Sequence, residues 1–337
     1  MSVKTAQKAA ETGHPLDRLS ALLDDDMLQV NSVILRNMQS DVPLIPQLAG
    51  YLIAAGGKRI RPLLTLASTR IFGYRGPRPY ALAASVEFIH TATLLHDDVV
   101  DESEERRGKE AANLVFGNQA SVLVGDFLFS RAFQLMVGDG SLDVLRILSD
   151  AAAIIAQGEV MQLSTANNLA TTYEQYEQVI KAKTAALFAA ACEIGPMIAG
   201  EDKSAAAALC EFGMNLGMAF QVADDVLDYA ADEKTLGKRV GDDFREGKMT
   251  APVILALKDA DETERAFWQR TMADKKQNDG DLARAQSLLK KNDALKRGLD
   301  LARGYAEKAR EALAEAPDGP IRACLEDVVT FTVERAY

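Results

Sequence analysis

Two aspartate clusters share one spacing. Asp97-Asp98-Val99-Val100-Asp101 and Asp224-Asp225-Val226-Leu227-Asp228 both read DDxxD, and each closes an apolar run, LLHDDVVD and FQVADDVLD. With 28 aspartates in 337 residues, one such match is expected about 0.2 times by chance and two about 0.02 times. On a helix, positions i and i+4 share a face, so Asp97 stands over Asp101 and Asp224 over Asp228. Like charges so placed repel, and the C-terminal half of a helix is the wrong end for anions. A divalent cation is the natural compensation. A carboxylate-only set suits a hard, oxygen-seeking ion such as Mg²⁺, which keeps waters and shares phosphate oxygens with a substrate. Neither segment has the glycine-centred loop of a calcium EF-hand. The bland alternative is two solvated acidic helix ends. Two copies, both set in apolar sequence, argue against it, because acids inside buried helices are seldom idle.

Basic groups accompany the acids. Asp97 to Glu105 holds six acids in nine residues and runs straight into Arg106-Arg107-Gly108. Upstream stands Gly56-Gly57-Lys58-Arg59-Ile60-Arg61-Pro62, and downstream come Lys183-Thr184, Gly237-Lys238-Arg239 and Gly247-Lys248. Guanidinium forks and ammonium groups are what diphosphates need. Singly, each is an ordinary surface charge. Together, in a chain of net charge −11, they point to a site for two diphosphates, one held through metal and one by Lys and Arg directly.

The elements that must position these groups are helical. Helix formers fill most windows and alternating β-branched runs are almost absent. The spacing predicts helices over Leu16–Gln39, Pro79–Val100, Asn118–Met136, Leu142–Leu163, Tyr173–Ile194 and Ala205–Ala230. Breaks are expected at Gly56-Gly57, Gly73 to Pro79, Gly138 to Gly140, Gly195-Pro196 and Pro317 to Pro320. The segment around Ala185–Cys192 is apolar nearly all round and reads as an inner helix. Lys258 to Arg297 is polar and reads as outer helices or a solvated excursion. The expectation is one all-α domain over residues 16–337, a single large helical bundle, with residues 1–15 as a flexible tail.

An acidic surface makes nucleic acid an unsuitable partner and offers no polybasic membrane anchor. The three cysteines, Cys192, Cys210 and Cys324, lie far apart without a CxxC pair, so neither a disulfide framework nor a zinc site is indicated. A reducing cytoplasm is the expected compartment. The N-terminus shows no signal-peptide core. The longest apolar stretch, Ala185 to Ala199, is interrupted by Glu193 and Pro196 and is expected to fall short of a membrane span.

GGKRIRP, FIHTATLLHDDVVDESEERRG, Lys183-Thr184, FQVADDVLDY and GDDFREGK, in that order, resemble the all-trans isoprenyl diphosphate synthases. The likeness runs from about residue 16 to the end, and is strongest to the long-chain branch that makes octaprenyl to decaprenyl diphosphate for quinone side chains. The resemblance implies an all-α fold around a deep central cavity, a homodimer and several Mg²⁺ ions per site. It also implies a prenyltransferase that adds isopentenyl diphosphate to an allylic diphosphate by ionisation, condensation and elimination. Carried over by motif, Asp97, Asp98, Asp101, Asp224, Asp225 and Asp228 resemble the metal-binding acids. Arg106, Lys183 and Lys238 resemble contacts to the allylic diphosphate, with Lys248 near them. Lys58, Arg61, His90 and Arg107 resemble the isopentenyl diphosphate pocket. Thr184 and Gln221 match groups whose oxygens face the developing allylic cation. His96 is expected to be structural, and His14 to belong to the tail.

Short-chain members of the family carry aromatic residues four and five positions before the first aspartate motif. Here those positions are Thr93 and Ala92, about 6 to 7.5 Å below Asp97 at 1.5 Å per residue, with Ile89 at about 12 Å. Both are small, which implies an open path and a product of about eight to ten isoprene units. The alternatives are a short-chain farnesyl or geranylgeranyl synthase, and a non-catalytic partner subunit, which would be expected to have lost acids from one motif. A terpene cyclase would need neither GGKRIRP nor the Arg106-Arg107 pair. Membrane contact, if any, is expected to be peripheral.

Overall fold

Long helices with short breaks account for most of the described residues in the computed structural model, which describes residues 14–54, 57–106, 108–230 and 240–334. In chain order the helices are α1 (Pro15–Leu22), α2 (Asp24–Asn37), α3 (Leu44–Ala54), α4 (Ile60–Arg70), α5 (Arg78–Val100), α6 (Ala112–Phe116), α7 (Asn118–Asp139), α8 (Leu142–Thr165) and α9 (Tyr173–Ile180). A π-helical turn, Lys181–Ala185, leads into α10 (Ala186–Ala199) and α11 (Lys203–Ala230). Then come α12 (Asp242–Glu246), α13 (Ala251–Lys258), α14 (Glu262–Trp268), a second π turn (Gln269–Ala273), α15 (Asp281–Lys291), α16 (Ala294–Leu313) and α17 (Pro320–Glu334). Among the described residues the only strands are a two-residue antiparallel pair, β1 (Glu105–Arg106) and β2 (Lys109–Glu110). The fold is all-α, as the composition implied.

The chain divides into two compact units. One comprises the residues up to Ala152 with Leu187–Phe212 and Ala312–Val328, and the other Ala153–Ala186, Gly213–Glu311 and the residues from Val329 on. In the first unit, α5 lies against α2, α4 and α7. Its apolar side chains Leu82, Val86, Phe88, Ile89 and Ala92 are fully covered. The C-terminal end of α4 is locked to α2 by a two-pronged ion pair, Arg70 Nε and Nη2 donating to Asp26 at 3.0 and 2.6 Å, with the Tyr80 hydroxyl donating to the same carboxylate at 2.9 Å. Because Arg70 is buried, its remaining donors are satisfied by the Tyr74 and Gly76 carbonyls. In the second unit, Phe267, Trp268, Met272 and Leu289 are buried on the inner sides of the polar 258–297 region. That region therefore forms amphipathic outer helices and not a solvated excursion.

Three boundaries differ from the expected ones. The segment Leu16–Gln39 is two helices, separated at Leu23. Gly195-Pro196 does not break α10, because Gly195 sits where an added Cβ would lie 2.4 Å from the Ser68 hydroxyl, and close packing on α4 outweighs the local preference. The helical chain starts one residue before the expected domain start, at Pro15, with the His14 ring accepting the Leu16 N–H at 3.2 Å. The rest of the expected tail, residues 1–13, lies outside the described residues.

The expectation about membrane-length segments needs correcting. Two helical stretches are long and apolar enough to cross a bilayer by length and composition, Asn118–Asp139 with 22 residues and Tyr173–Ala199 with 27. The second escapes a search for unbroken apolar runs because the π turn joins α9 to α10 through polar residues. Its most apolar 18-residue window is 78% buried within the protein, as in a core helix, whereas that of Asn118–Asp139 is only 39% buried.

Candidate active site

The first aspartate motif closes α5, with the Asp101 N–H donating to the Asp97 carbonyl at 2.8 Å. Asp98 points elsewhere. Its carboxylate is 2% exposed and accepts from Arg106 through Nε at 2.7 Å and Nη2 at 2.5 Å. Its carbonyl accepts from the Ser103 N–H and the Asn113 side chain, each at 3.0 Å. The β1–β2 hairpin thus presents Arg106 from a fixed point at the end of α5. Successive helical residues are about 100° apart, so the middle aspartate of the motif turns into the protein while Asp97 and Asp101 share another flank.

Helix α5 also sorts the residues below the motif. Ser85 Oγ lies 3.4 Å from the Ala132 carbonyl and His96 Nε2 3.1 Å from the Val122 carbonyl, both on α7. Ile89 and Ala92 are four or seven residues from these two and share their flank. Thr93 and His90 share the flank of Asp97, and the Thr93 hydroxyl donates to the His90 carbonyl at 2.8 Å. Gly125 makes the α5–α7 approach possible, since a Cβ there would stand 2.3 Å from His96 Nε2. His96 is structural, as expected.

Lys58 and Arg61 flank the start of α4. Arg59 between them takes a left-handed conformation, φ +46°, uncommon for a residue with a side chain. The Arg61 guanidinium lies over the Phe188 ring at 4.7 Å, a contact that orients the fork without neutralising it. Lys58 Nζ is 2.7 Å from His14 Nε2, so His14 belongs to the folded structure beside this motif. Arg107, Lys238 and Gly56 lie outside the described residues.

In the second unit the motif occupies the last two turns of α11. A hydrogen-bonded chain runs through it: the Thr184 hydroxyl donates to Gln221 Oε1 at 2.7 Å, Gln221 Nε2 donates to Asp225 Oδ1 at 2.7 Å, and the Tyr176 hydroxyl donates to Asp225 Oδ2 at 2.5 Å. Here both oxygens of the middle aspartate are engaged, whereas Arg106 grips Asp98 through Oδ1. Burial, with Asp224 and Asp228 alongside, pushes the Asp225 carboxyl up to about 7 against the pull of its hydrogen bonds. Asp228 accepts the Asp242 and Asp243 backbone N–H groups at 3.3 and 3.0 Å, so it caps α12 and draws GDDFREGK onto the motif. The Asp243 carboxyl is pushed well above the usual range by burial and by Asp228 and Asp225, with Lys248 opposing. Lys183 Nζ is 2.7 Å from Glu159 Oε2, and Lys248 pairs with Glu246.

Three of these participants escape the sequence reading: Tyr176, Glu159 and Asp243. Tyr176 stands seven residues before Lys183, two turns away on one face, and Asp243 sits inside a motif already singled out for its lysine. Glu159 follows Gly158 in an otherwise apolar run. Among the described residues no three His, Cys, Asp or Glu side chains converge into a ready-made metal cage. The donor set still fits a divalent ion that takes part of its shell from a substrate. It is all oxygen, and the Asp225 and Asp243 carboxyls are raised first by burial and further by the carboxylates beside them, a charge that a cation would offset.

Residues 42–289 match the Polyprenyl synthetase family. The octaprenyl diphosphate synthase of Escherichia coli is 45% identical over 320 residues, covering 95% of this chain and 99% of that one. A decaprenyl diphosphate synthase from Rhodobacter capsulatus superposes with a TM-score of 0.92 at 52% identity, over 96% of this chain and 99% of that one. A polyprenyl synthase from Caulobacter crescentus, crystallised with calcium and isoprenyl diphosphate, gives 0.92 at 51% identity, over 96% and 98%. Paired acids on helix ends, cations beside them and full-length likeness to these enzymes agree: the chain belongs to the polyprenyl synthetase family and is a prenyltransferase.

Proposed function

We propose that this enzyme is a long-chain all-trans polyprenyl diphosphate synthase, adding isopentenyl diphosphate to an allylic primer until the product holds about eight to ten isoprene units. The observation that carries this reading is full-length likeness to an octaprenyl synthase at 45% and a decaprenyl synthase at 52% identity. The small side chains at Ala92 and Thr93 support it. A quinone side chain is the proposed destination of the product.

Asp97, Asp101, Asp224 and Asp228 would hold Mg²⁺, with Asp98 and Asp225 fixing the motifs from behind through Arg106 and through Tyr176 and Gln221. The ion would supply Lewis-acid neutralisation of the leaving diphosphate. Arg106, Lys183, Lys238 and Lys248 add fixed positive charge where negative charge grows, which lowers the barrier to ionisation. Lys58, Arg61, His90 and Arg107 orient the second diphosphate so that its homoallylic double bond meets the allylic carbon, and the proton lost afterwards goes to the departed diphosphate. Thr184 donates its hydroxyl proton to Gln221, so its oxygen lone pairs are left to face the cation. No Ser or Cys nucleophile is needed, and water, which would quench the cation, must be kept out.

Homodimer formation is part of this proposal. Val122, Leu123, Phe133 and Val137 are exposed on α7 and fall within an arc of about 100° that Asp126 and Ser130 interrupt. A cytoplasmic location fits three free cysteines. The test is one incubation of purified protein with Mg²⁺, farnesyl diphosphate and labelled isopentenyl diphosphate, with products sized by mass spectrometry. A ladder ending at forty to fifty carbons is expected. A stop at fifteen or twenty carbons would leave the chemistry and discard the long-chain reading.

A further inference from the structure

Lys183 is presented in an unusual way. The Lys181–Ala185 segment is a π-helical turn, with the Ala186 N–H reaching back to the Lys181 carbonyl. Such a turn widens the helix by one residue and re-aims the side chains on it. Helix α8 comes against this turn at Gly158, where an added Cβ would stand 2.8 Å from both the Ala182 Cβ and the Lys183 nitrogen. The next residue, Glu159, therefore reaches the lysine, and its Oε2 lies 2.7 Å from Nζ with the two side chains 28% and 23% exposed. A lysine on its four-carbon stem has many rotamers open to it. A partly buried carboxylate that holds the ammonium in one place removes much of that freedom before substrate arrives.

We infer that Glu159 is a positioning residue for the reaction, acting through Lys183. It holds the ammonium in one place, so that Lys183 meets the leaving diphosphate without a search. This rests on the proposed reading of Lys183 as a contact to the allylic diphosphate. Glu159 does not touch substrate. Its influence falls on the step in which charge builds on the leaving group, so it belongs to turnover more than to binding.

The test is a double-mutant cycle on the full-length enzyme with Mg²⁺ and both diphosphates, using Glu159→Gln, Lys183→Ala and the pair, with Glu159→Asp as the conservative variant. E159Q is expected to lower kcat about tenfold, to change the KM for the allylic substrate less than about threefold, and to leave the KM for isopentenyl diphosphate unchanged. E159D, which keeps the charge on a shorter arm, should fall between E159Q and the parent. In the K183A background, E159Q should cost less than about twofold, because a residue that works only through the lysine has nothing left to position. The inference is overturned if E159Q turns over like the parent, or if it costs the same factor with and without the lysine, as a merely structural residue would. Parent-like kinetics in K183A would overturn the reading of Lys183 itself, and Glu159 with it.

Discussion

The two aspartate motifs have the same letters and different electrostatics. In the first, the middle residue, Asp98, is buried against a guanidinium that cannot lose its charge. In the second, Asp225 is buried against neutral donors, a phenol and an amide. Asp98 is compensated by the protein itself. Asp225 is raised first by burial and further by Asp224 and Asp228, against the pull of its neutral donors. DDxxD is thus a pattern for placing an i, i+4 pair of acids at a helix end. The residue between them is free to be anchored by whatever lies behind, provided its buried carboxylate finds donors.

The largest effects should come from the outer acids and the ion they are proposed to hold. Removing divalent metal with a chelator should abolish turnover, and restoring Mg²⁺ should recover it. Asp97→Ala and Asp224→Ala should each lower kcat about a thousandfold, which corresponds to about 4 kcal/mol of lost transition-state stabilisation. Steady-state assays at saturating metal check this. If either variant keeps more than a tenth of the activity, that motif is not holding the reacting diphosphate.

Product length comes next. A bulky ring on the flank below Asp97 should close the path, so Thr93→Phe should cut the product to about four units or fewer. Ala92→Phe should shorten it as well. Ala92 faces α7 along with Ser85 and His96, however, so the added ring also overfills that contact, at a cost of about 1–3 kcal/mol. Mass spectrometry of products from both variants separates the flanks. Full-length product from both would sink the argument from small residues.

The middle aspartates give the direct comparison. Asp98→Asn leaves Arg106 without its charged partner and should destabilise by about 2–3 kcal/mol. Asp225→Asn keeps the shape, forfeits one hydrogen bond and relieves crowding, and should cost about 1 kcal/mol. Urea melts of the two variants test the ranking. Equal losses would mean that the two anchors are interchangeable.

Much of this was legible before any coordinates. The DDxxD pairs, the helical periodicity of α5, α7, α8 and α11, and the inner position of α10 follow from spacing and composition, since burial of an apolar stripe and i, i+4 geometry are local properties. What could not be read depends on chain segments far apart in sequence. The division of labour within each motif requires Arg106 on a hairpin and Tyr176 on another helix. The π turn at Lys183 is a one-residue insertion with no compositional mark, and the role of Gly158 shows only once α8 is laid against it. Gly195-Pro196 misled because tertiary packing outweighed a local breaker.

A pH-dependent effect sharpens the contrast between permanent and conditional compensation, away from the site. Asp281 in the second unit is gripped by both Nη atoms of Arg270, each at 2.8 Å, and accepts the Asn278 N–H at 2.7 Å. The Arg270 hydrogen bonds hold its carboxyl at about 2, below the value of about 3.9 for an unfolded chain. A group whose folded value is depressed contributes stability that is complete above the unfolded value and is lost as pH falls through the folded one. Asp281→Asn should therefore be less stable than the parent by about 1–2 kcal/mol at pH 7, with the gap closing between pH 4 and pH 2. Thermal melts of the two proteins across that range read it directly. A gap that persisted unchanged at pH 2 would mean that shape, and not the ion pair, is what Asp281 contributes.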